Sequence, residues 1–197
     1  HVYCEKPLTH NVWEARLVAR VAKETGVATQ MGNSGHSREG IRQTCEWIWD
    51  GAIGPVREVH AWVGATRWNK HLTGRPTDSP PMPPGVNWDL WIGPRQPRPY
   101  HPAYTPVTWR DFWDFGGGGL ADFGCHDLDA PFWALDLAEP KTIEARPAGN
   151  MNDEIAPHGE VCYYQFGPRG DKPAVRVIWY DGGLKPPCPD EMGARPL

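Results

Sequence analysis

Ten of the chain's 22 prolines, at positions 76, 80, 81, 83, 84, 94, 97, 99, 102 and 106, fall between residues 69 and 108. Proline fixes φ and removes a backbone donor, so this segment is predicted to be neither a helix nor an inner strand. We read it as a long ordered arm, because extended loops of this length in compact domains are lids or wrapping elements rather than filler. The chain also carries 11 tryptophans, of which Trp88, Trp91, Trp109 and Trp113 lie in or beside the arm with Tyr100 and Tyr104. Most of these rings are expected to anchor the arm by buried area. Tyr104 and Arg110 are the arm's candidate substrate contacts. All regular structure must come from the segments on either side.

Before the arm, residues 2–4 read as a strand. A helix follows from Asn11, with Glu14 three residues on in a capping-box-like start and an apolar stripe of Val12, Ala15, Val18, Ala19 and Ala22 that stops at Gly26. Residues 27–31 read as a second strand, so strand, helix and strand form a βαβ unit with parallel strands. Ser37 is then expected to cap a second helix running to about Asp50, with Ile41, Cys45 and Ile48 on its apolar side. A turn at 51–55 leads into a long strand over 56–68.

After the arm, the glycine run Gly116 to Gly119 opens a further helix, and strands are expected at 141–147, 159–166 and 173–180. The last three follow one another without helices between them and should pair antiparallel. The fold class is thus α/β plus α+β: a βαβ remnant followed by an open mixed or antiparallel sheet with helices on one face. We set the boundary at residue 34, giving segments 1–34 and 35–197.

With 20 basic and 24 acidic residues the net charge is -4, and no basic block offers nucleic acid a footprint. No apolar run approaches the roughly eighteen residues of a membrane span, so neither nucleic acid nor membrane is an expected partner. The five cysteines at 4, 45, 125, 162 and 188 are odd in number and contain no C-x-x-C pair, which argues against a disulfide framework or a structural zinc site. Cys125 beside His126 is a poor nucleophile–base pair, since adjacent helical residues point about a third of a turn apart.

The chemistry-bearing residues fall into two motifs. Cys4, Glu5, Lys6 and Pro7 follow the first strand, and the carboxyl end of a parallel strand is where an open α/β sheet places its ligand. Asp122 and His126 share one helical face after the glycines. Lysine, aspartate and histidine converging on one site would suit removal of a hydroxyl proton while hydride leaves its carbon. The plainer reading is a surface lysine, a first-turn aspartate and a buried histidine bonded to backbone. Asp127 and Asp129 should point elsewhere, into solvent or toward arginines. Asn33 and His36 follow the second strand and would lie on the same sheet edge as Lys6. A metal-dependent hydrolase using His126, Asp122, His36 and His101 lacks any H-x-H or H-E-x-x-H spacing, and no metal site is assigned. The glycines could cradle a phosphate at a helix N-terminus or allow close approach of substrate, and we take the second reading.

In this order the motifs resemble the glucose-fructose oxidoreductase/inositol dehydrogenase (Gfo/Idh/MocA) family: residues 1–7, then Gln30, Met31, Gly32 and Asn33, then Ile53, Gly54, Pro55 and Val56. Residues 87–94, 109–115 and 116–126 are similar to a tryptophan-rich branch of it. The resemblance implies an NAD- or NADP-dependent oxidoreductase acting on a hydroxyl of a sugar, glycoside or cyclitol. It implies a dinucleotide-binding Rossmann domain followed by a substrate-binding sheet domain that also carries oligomer contacts. Lys6, Asp122 and His126 would be catalytic, and Glu5, Lys6, Pro7 and Asn33 would contact the cofactor, with a cis bond at Pro7. His36, Tyr104 and Arg110 would contact substrate. The chain departs from the family in lacking the G-x-G-x-x-G turn, so it is expected to be a fragment that binds NAD(P) weakly or not at all, with an incomplete sheet and a homo-oligomeric parent. Redox-assisted glycoside cleavage at the same site and a non-catalytic carbohydrate-binding or assembly role are the alternatives. The compartment is open between cytoplasm and twin-arginine export.

Overall fold

The computed structural model describes residues 1–193, so the last four residues of the 35–197 segment lie outside the described residues. Strand β1 (Val2–Glu5) and strand β2 (Thr29–Gly32) pair in parallel, Val2 opposite Thr29, across helix α1 (Val12–Thr25). The start of α1 is built as its sequence suggests, with one change. Asn11 Oδ1 accepts from the Glu14 amide at 2.9 Å, but the Glu14 carboxylate reaches back to the His10 amide at 2.7 Å rather than to Asn11. The helix ends where Gly26 takes φ 63°, a left-handed conformation that glycine adopts without a Cβ clash.

Helix α2 (Glu39–Trp49) starts later than expected. Residues Ser34–Ser37 form a 3₁₀ turn, and the cap position falls to Arg38, whose side chain makes no capping bond. Strand β3 (Glu58–Trp62) is much shorter than the expected 56–68. Beyond Ala65, whose carbonyl accepts from the Gly182 amide at 2.9 Å, the backbone turns to side-chain partners: the Trp68 and Asn69 amides donate to the Asp111 carboxylate at 3.0 and 2.7 Å. Buried Arg67 donates to the Leu72 carbonyl at 2.9 Å and to the carbonyls of Asn150 and Ala156. These contacts satisfy polar groups that a strand ladder would otherwise have paired.

The arm contains one helix that its prolines hide. Helix α3 (Trp88–Ile92) fits the proline-free window between Pro84 and Pro94, opened by Asn87 Oδ1 accepting from the Leu90 amide at 3.0 Å and closed at Gly93. Its rings hold the arm down. Trp88 and Trp91 stack at 4.7 Å and pack, with Phe115, on a core of Leu72, Tyr104, Phe112 and Ile155.

Helices α4 (Gly118–Asp127) and α5 (Asp129–Leu135) follow, then strands β4 (Thr142–Ala148), β5 (Gly159–Phe166) and β6 (Val175–Tyr180). The sheet order is β3-β6-β5-β4, with β3 parallel to β6 and the last three strands antiparallel, as expected. Alternate residues face the helices. Val175, Val177 and Phe166 pack under α2 and α5, and Trp179 and Cys162 pack under α4. The helices therefore lie on one face of a mixed sheet, and that packing fixes where α4 presents its polar residues.

Candidate active site

The carboxyl end of β1 meets α4. Lys6 follows the strand, its amide donating to the Gly32 carbonyl at 3.4 Å, and the Lys6–Pro7 bond is cis. Its ammonium crosses to α4, donating to the Asp122 carboxylate at 2.7 Å and to the Asp122 carbonyl at 2.5 Å. The Asp122 carboxylate has a second cation: Arg110 Nε lies 2.9 Å from Oδ2, at ion-pair distance but without hydrogen-bond alignment. Arg110 also lies 4.5 Å from the Trp109 ring centre. The charge on Asp122 is thus shared between two cations in a half-buried setting, where a pair is screened less than at the surface.

His126 stands one helical turn beyond Asp122, about 6 Å of rise. Its Nδ1 is 2.7 Å from Asn33 Oδ1, and Asn33 Nδ2 in turn lies 2.7 Å from the Cys125 carbonyl and 3.2 Å from Asp129 Oδ2. Asp129 also takes His36 Nδ1 at 2.9 Å, and the His36 ring stacks on Trp133 at 4.2 Å. Two clusters on α4 therefore tie the strand ends to the helices: Lys6 from β1 with Asp122 and Arg110, and Asn33 and His36 beyond β2 with His126 and, on α5, Asp129. They contain Lys6, Asp122, Arg110, His126, Asn33 and His36 of the expected residues.

Several expectations need correction. Tyr104 is not placed to touch substrate: it is 2% exposed and locked among Trp88, Phe112 and Phe115. Asn33 is 7% exposed, and both its donors are taken by protein oxygens, which leaves none for a cofactor. Asp129 does not point away into solvent or toward arginine. The helix breaks at Leu128 and restarts, so Asp129 opens α5 and turns back to Asn33 and His36. Glu5 folds its carboxylate over Gly32, where a Cβ would come within 2.6 Å.

The glycine run serves close approach, but of protein groups. A Cβ on Gly116 would come within 2.5 Å of the Arg110 backbone, and one on Gly119 within 2.7 Å of Asp181 Oδ2. Asp181 is the residue that sequence reading missed. At 2% exposure it accepts from the Glu160 amide at 2.6 Å and from Trp179 Nε1 at 3.0 Å, and its carboxylate lies against Gly119 in the first turn of α4. Burial pushes its carboxyl up from the ordinary value, and these bonds oppose that shift. An anionic side chain thus already fills the α4 N-terminus. Burial also pushes the Cys125 thiol up, against the pull of Lys6, which disfavours a thiolate nucleophile.

Between α1 and α4 lies an open cavity of about 1160 Å³, lined by Pro7, Val18, Trp109, Arg110, Asp122 and Cys125 among others. Lys6 and His126 are not among its lining residues and border it through Asp122 and Asn33. Among the described residues no group of three or more His, Cys, Asp or Glu side chains could hold a metal ion. Nor is any helix among them long and apolar enough to cross a membrane.

Solved structures share this fold at low identity. An oxidoreductase from Thermotoga maritima matches with a TM-score of 0.56 and 19% identity over 95% of this chain and 46% of its own. An NAD binding oxidoreductase from Klebsiella pneumoniae matches with 0.56 and 20% over 93% of this chain and 42% of its own. The WlbA dehydrogenase from Bordetella pertussis, in complex with NADH and UDP-GlcNAcA, matches with 0.57 and 16% over 94% and 45%. The chain thus spans less than half the length of each. No curated protein matches the sequence. The family profile described as "Oxidoreductase family, C-terminal alpha/beta domain" matches residues 46–167, more than half of the chain, so the protein belongs to the Gfo/Idh/MocA oxidoreductase family.

Proposed function

We propose that this chain forms the substrate side of an NAD(P)-dependent oxidoreductase acting on a hydroxyl of a sugar, glycoside or cyclitol. In this reading residues 1–34 belong to the dinucleotide-binding domain and residues 35–197 to the substrate-binding domain. The observation that carries it is the contact of Lys6 with Asp122, which brings the end of β1 to the helix bearing His126. The sugar nucleotide and NADH in the WlbA complex support the substrate and cofactor classes.

The residues present fit the nicotinamide end of a dinucleotide rather than its phosphates. Glu5, Lys6 and Pro7 lie at the carboxyl edge of a parallel strand pair, whereas the α4 N-terminus is filled by Asp181. When bound, NAD(P) supplies the hydride acceptor. The protein groups handle the proton. Lys6 has three N–H donors, and two are used on Asp122, so one remains to hold a substrate hydroxyl and favour its alkoxide. His126, half-buried one turn along α4 from Asp122, takes the proton. Asp122 holds Lys6 in place and balances it together with Arg110.

Redox-assisted glycoside cleavage would use the same groups and return the hydride after loss of the aglycone. Incubation of the full-length protein with NAD(P) and a panel of sugars, cyclitols and glycosides separates the readings. Net NAD(P)H formation supports oxidation, and free sugar without NAD(P)H supports cleavage. Sugar binding with neither product would leave a carbohydrate-binding role and overturn the enzymatic proposal.

A further inference from the structure

The surroundings of Asn33 fix which way its amide points. Nδ2 faces the Cys125 carbonyl at 2.7 Å and an Asp129 carboxylate oxygen at 3.2 Å. A carbonyl and an ionised carboxylate can only accept, so the NH₂ group belongs on that side, and a flipped amide would set oxygen against oxygen twice. Oδ1 must then be the atom 2.7 Å from His126 Nδ1. An amide oxygen has no proton to give. Nδ1 must therefore carry the hydrogen, and the neutral ring has its lone pair on Nε2.

We propose that Asn33 is a positioning residue that locks His126 in the Nδ1–H tautomer, which makes Nε2 the atom that takes the substrate's proton. This rests on His126 being the proton acceptor of the proposed reaction. The lock is braced from behind. Asp129, which fixes the Asn33 amino group, is itself held by His36 Nδ1 at 2.9 Å, and His36 is stacked on Trp133 at 4.2 Å. At 7% exposure Asn33 is shielded from water that could replace its bonds.

The test is nitrogen NMR of the full chain labelled with ¹⁵N-histidine, at a pH where the His126 ring is neutral, with its signals assigned by their loss in His126→Gln. The parent should show a protonated Nδ1 and an unprotonated Nε2. Asn33→Leu replaces the acceptor with a similarly branched apolar side chain and should shift the ring toward Nε2–H, with kcat lowered at least about tenfold and KM little changed, because a base in the wrong tautomer impairs the proton step rather than binding. Asn33→Gln keeps both an amide oxygen and an amino group and should retain Nδ1–H. A parent ring protonated at Nε2, or an Asn33→Leu ring still protonated at Nδ1, overturns the proposal. If Asn33→Leu fails to fold, the parent spectrum and Asn33→Gln decide it alone. The tautomer is read without turnover, so the two ideas fail separately: full activity in His126→Gln would overturn the proton-acceptor reading and leave the tautomer result standing.

Discussion

Replacing Asp181 by alanine should loosen the helix that carries Asp122 and His126, and the structure sets the size of the effect. The carboxylate accepts from two donors in a buried setting, the Glu160 amide and Trp179 Nε1, and packs against Gly119 at the start of α4. Leaving a buried donor unpaired costs about 1–3 kcal/mol, so two orphaned donors set an upper bound of roughly 2–6 kcal/mol. Two effects reduce it. Burial already disfavours the charged carboxyl, so its removal recovers part of that penalty, and the space opened beside Gly119 can admit water. We expect a loss of roughly 2–4 kcal/mol, a large share of the 5–15 kcal/mol typical of a domain. Urea unfolding followed by tryptophan fluorescence measures it, with the exposed Asp153→Ala as a control that should change little. Asp181→Asn should fall between, because its amide keeps one accepting oxygen and turns an NH₂ toward another donor. Stability of Asp181→Ala within about 0.5 kcal/mol of the parent would refute the anchoring role, since surface substitutions change stability by that much without any mechanism.

Tyr104→Ala should destabilise the protein by about 3–5 kcal/mol, the range for deleting a buried ring, and should expose the arm over residues 70–105 to limited proteolysis. An alanine variant as stable and protease-resistant as the parent would contradict the arm's anchoring. Burial raises the Glu160 carboxyl above its ordinary value, so the folded state binds that proton more tightly than the unfolded chain. Its contribution is present below the ordinary carboxylate range and is lost as pH rises from there through the raised value. Glu160→Gln should therefore gain stability relative to the parent with rising pH, and unfolding free energies that run parallel across pH would show otherwise. Iodoacetamide should modify exposed Cys4 before Cys125, whose thiol burial pushes up, and peptide mass mapping over time reads the order.

Period and punctuation made the strands and helices legible wherever they agreed. Asn11, the apolar stripe and Gly26 bounded α1, and alternation marked β5 and β6 with their antiparallel pairing. Where side chains take over backbone pairing, the pattern misleads. Residues 63–68 alternate like a strand, but Arg67 and Asp111 draw that backbone into the arm. Proline density hid α3, a single short helix between two breakers. The spacing of Asp122 and His126 exposed half of the site, since residues four apart share a face in any helix. Asp181 was invisible because Asp181, Gly182 and Gly183 read as a turn after a strand, and only tertiary packing brings the carboxylate to the α4 N-terminus. The same holds for Asp129, whose direction depends on a helix break at Leu128 that no residue there announces.

In the proposed reaction Lys6 and His126 handle the proton of a hydroxyl whose carbon gives up hydride. Steady-state turnover of the parent, Lys6→Ala and His126→Ala on whichever sugar, cyclitol or glycoside the parent oxidises, followed by NAD(P)H absorbance, tests it most directly. Each substitution should lower kcat by roughly 10²–10⁴-fold, the range for losing a positioned proton-transfer group, while the proteins stay folded. Turnover of His126→Ala close to the parent's, on that substrate and with intact fold, would contradict it.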